Sequence, residues 1–455
     1  MVGPKDSLFE LSLEECHKHF TQPHEGVNVV RPCTLGDGIE QWTAEEVEHW
    51  SQTWDDQLAE RCGLWIPASG AATRMFQFLR TDEEAQQTLW AAADRLALGQ
   101  RWRKAVQARL GDVASAQAAC EVLWTEMSHG RMPKGLVPFH GTGGDTENAF
   151  DAHIALWRML FPHKAQVWFT VPPDKQQEID AHLAATAPEM AWNLPHQQHT
   201  TDLPVWTAEG SWLTDESGEL VRRPGGHGAL LPLLQEVSVP LVVIRNIDNA
   251  PSPSRRELRA MWTRAMLRAS HAWSQERDRM RESLKGAEDL PHSVFDWLQT
   301  AGAGFQASAK PSVDEARSWL DRPMRLVGVV RNEGQPGGGP YWVHLQSGPD
   351  AGLIRPQIVE SIEFADSNKS IMKEATHFNP VDMVCVLDPG QSLSPYVDSS
   401  RYMLATKEVE GRPATVLEHP GLWNGSMSGW LTRFVELPSD CFQPVKSALD
   451  LIDRK

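Results

Sequence analysis

An α/β fold with a doubly wound, mostly parallel sheet and helical insertions is the class this sequence predicts, and three observations predict it. Strand-like runs, Leu64-Trp65-Ile66-Pro67, Gln166-Val167-Trp168-Phe169-Thr170-Val171 and Leu241-Val242-Val243-Ile244, alternate with helical stretches. The run 241–244 is continuously apolar, as in strands buried on both faces. These runs also end in loops of small or polar residues, and parallel sheets bind their ligands at such strand ends.

The chain has 455 residues, enough for one large catalytic fold or for two to three domains. It carries 43 basic and 60 acidic residues, a formal net charge of −17, which argues against nucleic acid or an anionic membrane as a general partner. A few backbone N–H groups and one or two cations still suffice for a small phosphate compound. The six cysteines are scattered without a CxxC pair, which fits a reducing, cytoplasmic setting. The N-terminus lacks the pattern of a signal peptide, and no apolar stretch approaches the roughly 18 residues that span a bilayer. Tryptophan is unusually frequent, 19 against 3 tyrosines, a bias without a physical account in the sequence. Nothing in the sequence sets an oligomeric state.

In chain order, residues 1–60 read as an N-terminal helical segment and 61–435 as the catalytic domain. Within that domain the spacing predicts helical insertions over about 76–131 and 255–320. Residues 436–455 read as a tail packed on the core. A helix is expected over 174–184, and further strands over 324–330, 357–360 and 383–387.

Five segments could carry chemistry. The first is Ala68-Ser69-Gly70-Ala71-Ala72-Thr73-Arg74, whose small residues let backbone N–H groups approach a phosphate, with Arg74 as a permanent cation. It also reads as an ordinary tight turn between strand and helix. The second is Gly225-Gly226-His227-Gly228, three glycines around one imidazole, which suits a planar or anionic ligand or is a glycine turn with a bystander histidine. Asp248, at the end of the buried strand, is either a first ligand for a hard cation such as Mg²⁺ or an Asx turn. The fourth is the glycine-rich stretch 331–340. Its Asn332 and Glu333 suit a hydroxyl-rich ligand or a surface hairpin, and His377, Asn379 and Asp382 form a later polar group ahead of a strand. His17, His19, His49, His129 and most of the remaining histidines show no ligand spacing such as an HExxH pair, which argues against a zinc site.

Taken in order, PASGAATRMF (67–76), PKG (133–135), RPGGHGALL (223–231), NIDN (246–249), RNEGQPGGGP (331–340), QIVE (357–360), ATHFNPVDMVC (375–385) and GLWNGSMSGW (421–430) resemble a bacterial family described as domain of unknown function 4301. More distantly the same order is similar to the UDP-sugar pyrophosphorylases. That resemblance implies a nucleotidyltransferase version of the α/β sheet, the nucleotide-diphospho-sugar transferase type. It implies a triphosphate loop using Ser69, Gly70, Ala71, Thr73 and Arg74, with Lys134 as the phosphate-neutralising lysine. Lys134 lies 60 positions after Arg74, so the insertion must loop out and return. The resemblance further implies nucleobase contacts from Gly226, His227 and Gly228 and Mg²⁺ on Asp248 with Asp382. Glu360 would hold sugar hydroxyls, with Asn332, Glu333, His377 and Asn379 as further substrate contacts.

The expected activity is Mg²⁺-dependent transfer of a nucleotidyl group from an NTP, UTP favoured, to a sugar 1-phosphate or similar phosphorylated molecule, with Arg74 and Lys134 as catalytic cations. The alternatives are a glycosyltransferase using a nucleotide-sugar donor and a non-catalytic nucleotide sensor.

Overall fold

The computed structural model of the protein describes residues 9–22, 25–53, 56–112, 114–127, 131–142, 145–161, 166–305, 310–334, 337–346, 350–452 and 454. Residues 1–8, 128–130 and the Gln335-Pro336 pair lie outside them. The chain divides into two compact units: residues 1–46, 197–242 and 266–437 form the first, and 47–196, 243–265 and 438–455 the second.

In the second unit the strands Cys62–Pro67, Gln166–Thr170 and Ala191–Asn193 lie side by side in parallel. Strand 62–67 is buried up to its last residue, which is why its sequence runs apolar instead of alternating. The insertion predicted over 76–131 is helical, with Glu83–Ala91, Gly99–Leu110 and Ala116–Thr125 as its main helices. Asp82 caps the first, accepting from Ala85 N–H at 2.9 Å, and Ser115 caps the third. Gly111, at φ 78°, ends the second. Buried Trp102 donates its Nε1–H to Ala119 O at 2.8 Å and so joins the second helix to the third. The insertion returns as its sequence position requires. Ala71 pairs with Pro133, Ala72 N–H donates to Met132 O at 2.9 Å, and Lys134 N–H donates to Gly70 O at 3.1 Å. The helix Gln176–Thr186 follows strand 166–170.

In the first unit the strands Thr34–Leu35, Gly38–Glu40, Leu431–Glu436 and Met324–Arg331 adjoin in that order in parallel, and His377–Val386 pairs antiparallel with 324–331. Two antiparallel sheets complete it: Val29–Pro32 with Gly339–His344 and Ile354–Val359, and Arg222–Pro224 with Asp202–Thr207, Arg412–Glu418 and Met403–Val409. The insertion 255–320 is helical, as Arg256–Ser283, His292–Thr300 and Val313–Leu320. The class is therefore α/β with a mostly parallel main sheet and helical insertions. The strand Leu241–Arg245 is buried at every residue, as its composition requires.

Two local expectations are corrected. The segment 1–60 is not helical throughout, because 29–40 forms short strands between the helices Leu13–Thr21 and Ala44–Gln52. Val29 packs with Tyr341 and Val343, while Gly36 and Gly38 sit at φ 78° and 93°, a conformation no helix holds. Likewise His377, Asn379 and Asp382 do not precede a strand but lie inside His377–Val386. That strand shifts register opposite Gly328–Val330, and Val381 there has φ 58°. The Asn379 side chain accepts Val381 N–H at 3.0 Å and so serves the irregularity itself.

Four tryptophans, Trp65, Trp102, Trp157 and Trp430, are fully buried, so part of the tryptophan excess goes into the core. All six cysteines are buried as thiols. Among the described residues no helix is long and apolar enough to cross a membrane.

Candidate functional site

The second unit concentrates charge at one carboxylate. Strand 62–67 ends in Ser69, Gly70 and Ala71, all exposed, and a Cβ on Gly70 would meet nothing within 4 Å. Space for a ligand therefore exists over this loop. The helix that follows, Thr73–Gln77, is only five residues long, so an anion here would rely on loop N–H groups and cations more than on a helix dipole. Arg74 is exposed on it.

Lys134, anchored by its backbone to Gly70, places Nζ 3.1 Å from Asp248 Oδ2. Lys446, from the C-terminal segment, places Nζ 2.7 Å from the same oxygen. That segment is itself tied to the strand-end loop: Val445 N–H donates to Asp248 O at 2.9 Å and Gln443 N–H to Asn249 Oδ1 at 3.1 Å. Burial pushes the Asp248 carboxyl up, but the two ammonium groups outweigh it and hold the carboxyl below its usual value. Burial acts on Lys134 in the same sense as on any cation, lowering it, with Asp248 opposing.

The other carboxylate oxygen, Asp248 Oδ1, is buried and accepts no hydrogen bond among the described residues. Neither oxygen caps a backbone N–H, so the Asx-turn alternative is not what Asp248 does. A buried carboxylate oxygen left without a partner is costly, and an oxygen-seeking dication is a group that would complete it. Mg²⁺ fits this oxygen on that ground. Among the described residues no cluster of three or more His, Cys, Asp or Glu side chains forms a metal cage. A cation on Asp248 would thus take its remaining ligands from water and phosphate. Asp382, expected to share it, lies in the other unit, in a strand interior opposite Gly328.

The first unit holds a second cluster. His227 opens a short 3₁₀ turn, His227–Leu230, after Gly226 at φ 75°. Its imidazole stacks on Trp423, 4.1 Å between centroids and 15° between planes. Trp423 Nε1–H donates to Glu360 Oε1 at 3.0 Å, and His227 Nε2 lies 3.6 Å from the same oxygen. Burial pushes the Glu360 carboxyl up, but His227 and the Trp423 N–H together hold it below the usual carboxylate range. Behind it, buried Glu363 accepts the Glu360 backbone N–H and Asn424 Nδ2–H on Oε2, each at 2.8 Å, and Arg401 Nε–H on Oε1 at 2.8 Å. Both oxygens of Glu363 are thereby satisfied, which fixes the backbone at Glu360 against Asn424 and Arg401.

The structure thus brings His227 and Glu360 together, and separately brings Lys134, Asp248 and the Ser69–Ala71 loop together. Of the other expected residues, two pack inside the fold and two lie on its surface. His377 is buried between Glu436 Oε1, 3.2 Å from its Nε2, and Thr376 Oγ1, 2.8 Å from its Nδ1. Asn379 donates its backbone N–H to Gly338 O at 2.7 Å, and Gly338 in turn backs onto Glu360. Asn332 and Glu333 lie on an exposed turn, where Asn332 Oδ1 accepts Gly334 N–H at 3.0 Å. Sequence reading missed Lys446, Trp423 and Glu363. Only Trp423 lay in a marked motif, 421–430, and nothing local distinguishes the other two. A cavity of about 640 Å³ in the first unit, bordered by Lys18, His19, Val27, His344, Arg401 and Tyr402, contains none of the predicted side chains.

Gly228 lets this cluster close. A Cβ there would lie 2.1 Å from the carbonyl oxygen of Pro420. Gly228→Ala should therefore cost about 1–3 kcal/mol, the usual penalty of overpacking, measured as a lower urea midpoint with an unchanged slope.

The protein has an α/β fold of the nucleotidyltransferase-like type. It is similar to a uridine diphosphate N-acetylglucosamine pyrophosphorylase from Trypanosoma brucei, with TM-score 0.52 and 12% identity over 98% of this chain and 74% of that one. A UDP-glucose pyrophosphorylase from Leishmania major gives TM-score 0.48 and 12% identity over 96% of this chain and 73% of that one. The chain belongs to the family described as domain of unknown function (DUF4301), which matches residues 8–455. No curated protein matches it in sequence.

Proposed function

We propose that this protein is a nucleotidyltransferase that joins a nucleoside triphosphate, UTP favoured, to a sugar 1-phosphate or a similar phosphorylated small molecule and releases pyrophosphate. The observation that carries the reading is the convergence of Lys134 and Lys446 on Asp248 beside the open Ser69–Ala71 loop. Two ammonium groups and loop N–H groups offer what a triphosphate needs: charge neutralisation and a fixed orientation. The fold shared with a pyrophosphorylase supports the same class of chemistry.

In the reaction, an acceptor phosphate oxygen bonds to the α-phosphorus while the bond from that phosphorus to the bridging oxygen breaks, and pyrophosphate leaves. The acceptor is already ionised at neutral pH, so no protein base is required. Lys134 and Lys446 would hold the departing phosphates, with Arg74 as a further cation on the exposed helix. Asp248 would hold Mg²⁺, which when bound supplies further neutralisation of phosphate charge.

The test is pyrophosphate exchange. With Mg²⁺, labelled pyrophosphate should enter UTP in the presence of a UDP-sugar, and UTP with a sugar 1-phosphate should release pyrophosphate. A glycosyltransferase would form no UTP from product and pyrophosphate. Saturable nucleotide binding without turnover across a panel of phosphorylated sugars would replace the enzyme with a sensor.

A further inference from the structure

Trp423 touches both functional side chains of the first unit's cluster. It stacks on His227 and donates to Glu360, and its own carbonyl oxygen accepts from the buried Arg325 guanidinium at 2.5 Å. The neighbouring Leu422 N–H donates to His227 Nδ1 at 2.9 Å. With Nδ1 accepting, the proton of the neutral imidazole sits on Nε2. That nitrogen is 3.6 Å from Glu360 Oε1, beyond direct hydrogen-bond reach. The result is a donor and a carboxylate acceptor held slightly too far apart to satisfy each other. Both side chains are about a quarter exposed, 24% and 26%, so a ligand can reach them. A hydroxyl, which accepts and donates at once, is the group that completes such a pair.

We propose that Trp423 is a positioning residue that sets the ligand preference of this site, holding His227 and Glu360 as a donor and acceptor pair for a hydroxyl of a sugar ring. The proposal rests on the reading above that the ligand is a nucleotide sugar. Either the hexose or the ribose could supply that hydroxyl. Glycine packing keeps the arrangement in place. A Cβ on Gly421 would lie 1.9 Å from Asn424 Oδ1 and 2.6 Å from the His227 ring, so the backbone there has little freedom to re-seat the indole.

The test compares UDP-glucose, UDP and 2′-deoxy-UDP by titration calorimetry on the wild-type chain and on Trp423→Phe, which keeps an aromatic stack but removes the N–H. Weakening of UDP-glucose by roughly tenfold with UDP unchanged supports the proposal through the hexose, the size following from one lost hydrogen bond to a charged group. Weakening of both with 2′-deoxy-UDP unchanged supports it through the ribose. In either case the acid limb of binding should move to higher pH in Trp423→Phe, because the carboxylate loses a donor that favours its charged form. Equal affinities of variant and wild type for all three probes would overturn it. A wild-type chain that binds none of the three would instead overturn the nucleotide-sugar reading, and this proposal with it. Should Trp423→Phe fail to fold, Glu360→Gln probes the same pair, with the same ligand ranking expected.

Discussion

Asp248→Asn is expected to lower the rate of pyrophosphate release by roughly 10²–10³-fold, the cost typical of removing one preorganised electrostatic group from an active site. The amide keeps the shape of the side chain and removes its charge. Lys134 and Lys446 would then face a neutral group and each other. The buried Oδ1 would also lose its value to a dication, so the variant should respond less steeply to added Mg²⁺ than the wild type. Stability must be read separately. Lys134 is only 16% exposed, and breaking a buried pair by removing one partner costs up to about 3–5 kcal/mol. Turnover is therefore compared at a temperature where urea unfolding shows the variant to be folded. A folded Asp248→Asn chain with wild-type turnover would remove both the metal assignment and the proposed reaction centre.

Lys134→Met should have the next largest effect, a fall in kcat/KM for the triphosphate of the order of 10²-fold. Lys446→Met should cost less, because Lys446 is 55% exposed and water screens what it contributes. The pH dependence separates a catalytic charge from a structural one. Burial lowers the Lys134 ammonium, and Asp248 opposes this only in part, so it loses its proton below the usual lysine range. Activity should fall on the alkaline side as that proton leaves. Lys134→Arg, whose guanidinium stays charged there, should retain activity and lose that limb, as a pH profile of kcat/KM would show. An unchanged alkaline limb in Lys134→Arg would assign the titration to another group.

Much of the architecture was legible because the signals were local. The run 241–244 is apolar at every position since both faces of that strand are covered, and the 76–131 insertion shows helical spacing, with Asp82 and Ser115 starting helices and Gly111 ending one. The pairing of Lys134 with the 68–74 loop followed from motif order once the intervening helices were seen to return. The strands at 29–40 and the early start of strand 377–386 were less legible. These positions are held in strands by partners far along the chain, Val29 by Val343 and His377 by Arg331, and not by their own propensity.

The sequence by itself determined the α/β class, the positions of the small-residue loops and the residue types a phosphate site needs, because each rests on spacing within a few residues. Only the tertiary structure decided which of those residues meet. Lys446 reaches Asp248 across 198 positions, and Trp423 lies 63 positions beyond the Glu360 it donates to. It also decided that His377 sits against Glu436 and that Asn379 Oδ1 accepts the backbone N–H of Val381. Such pairings depend on where the chain returns to itself, and no local pattern encodes them.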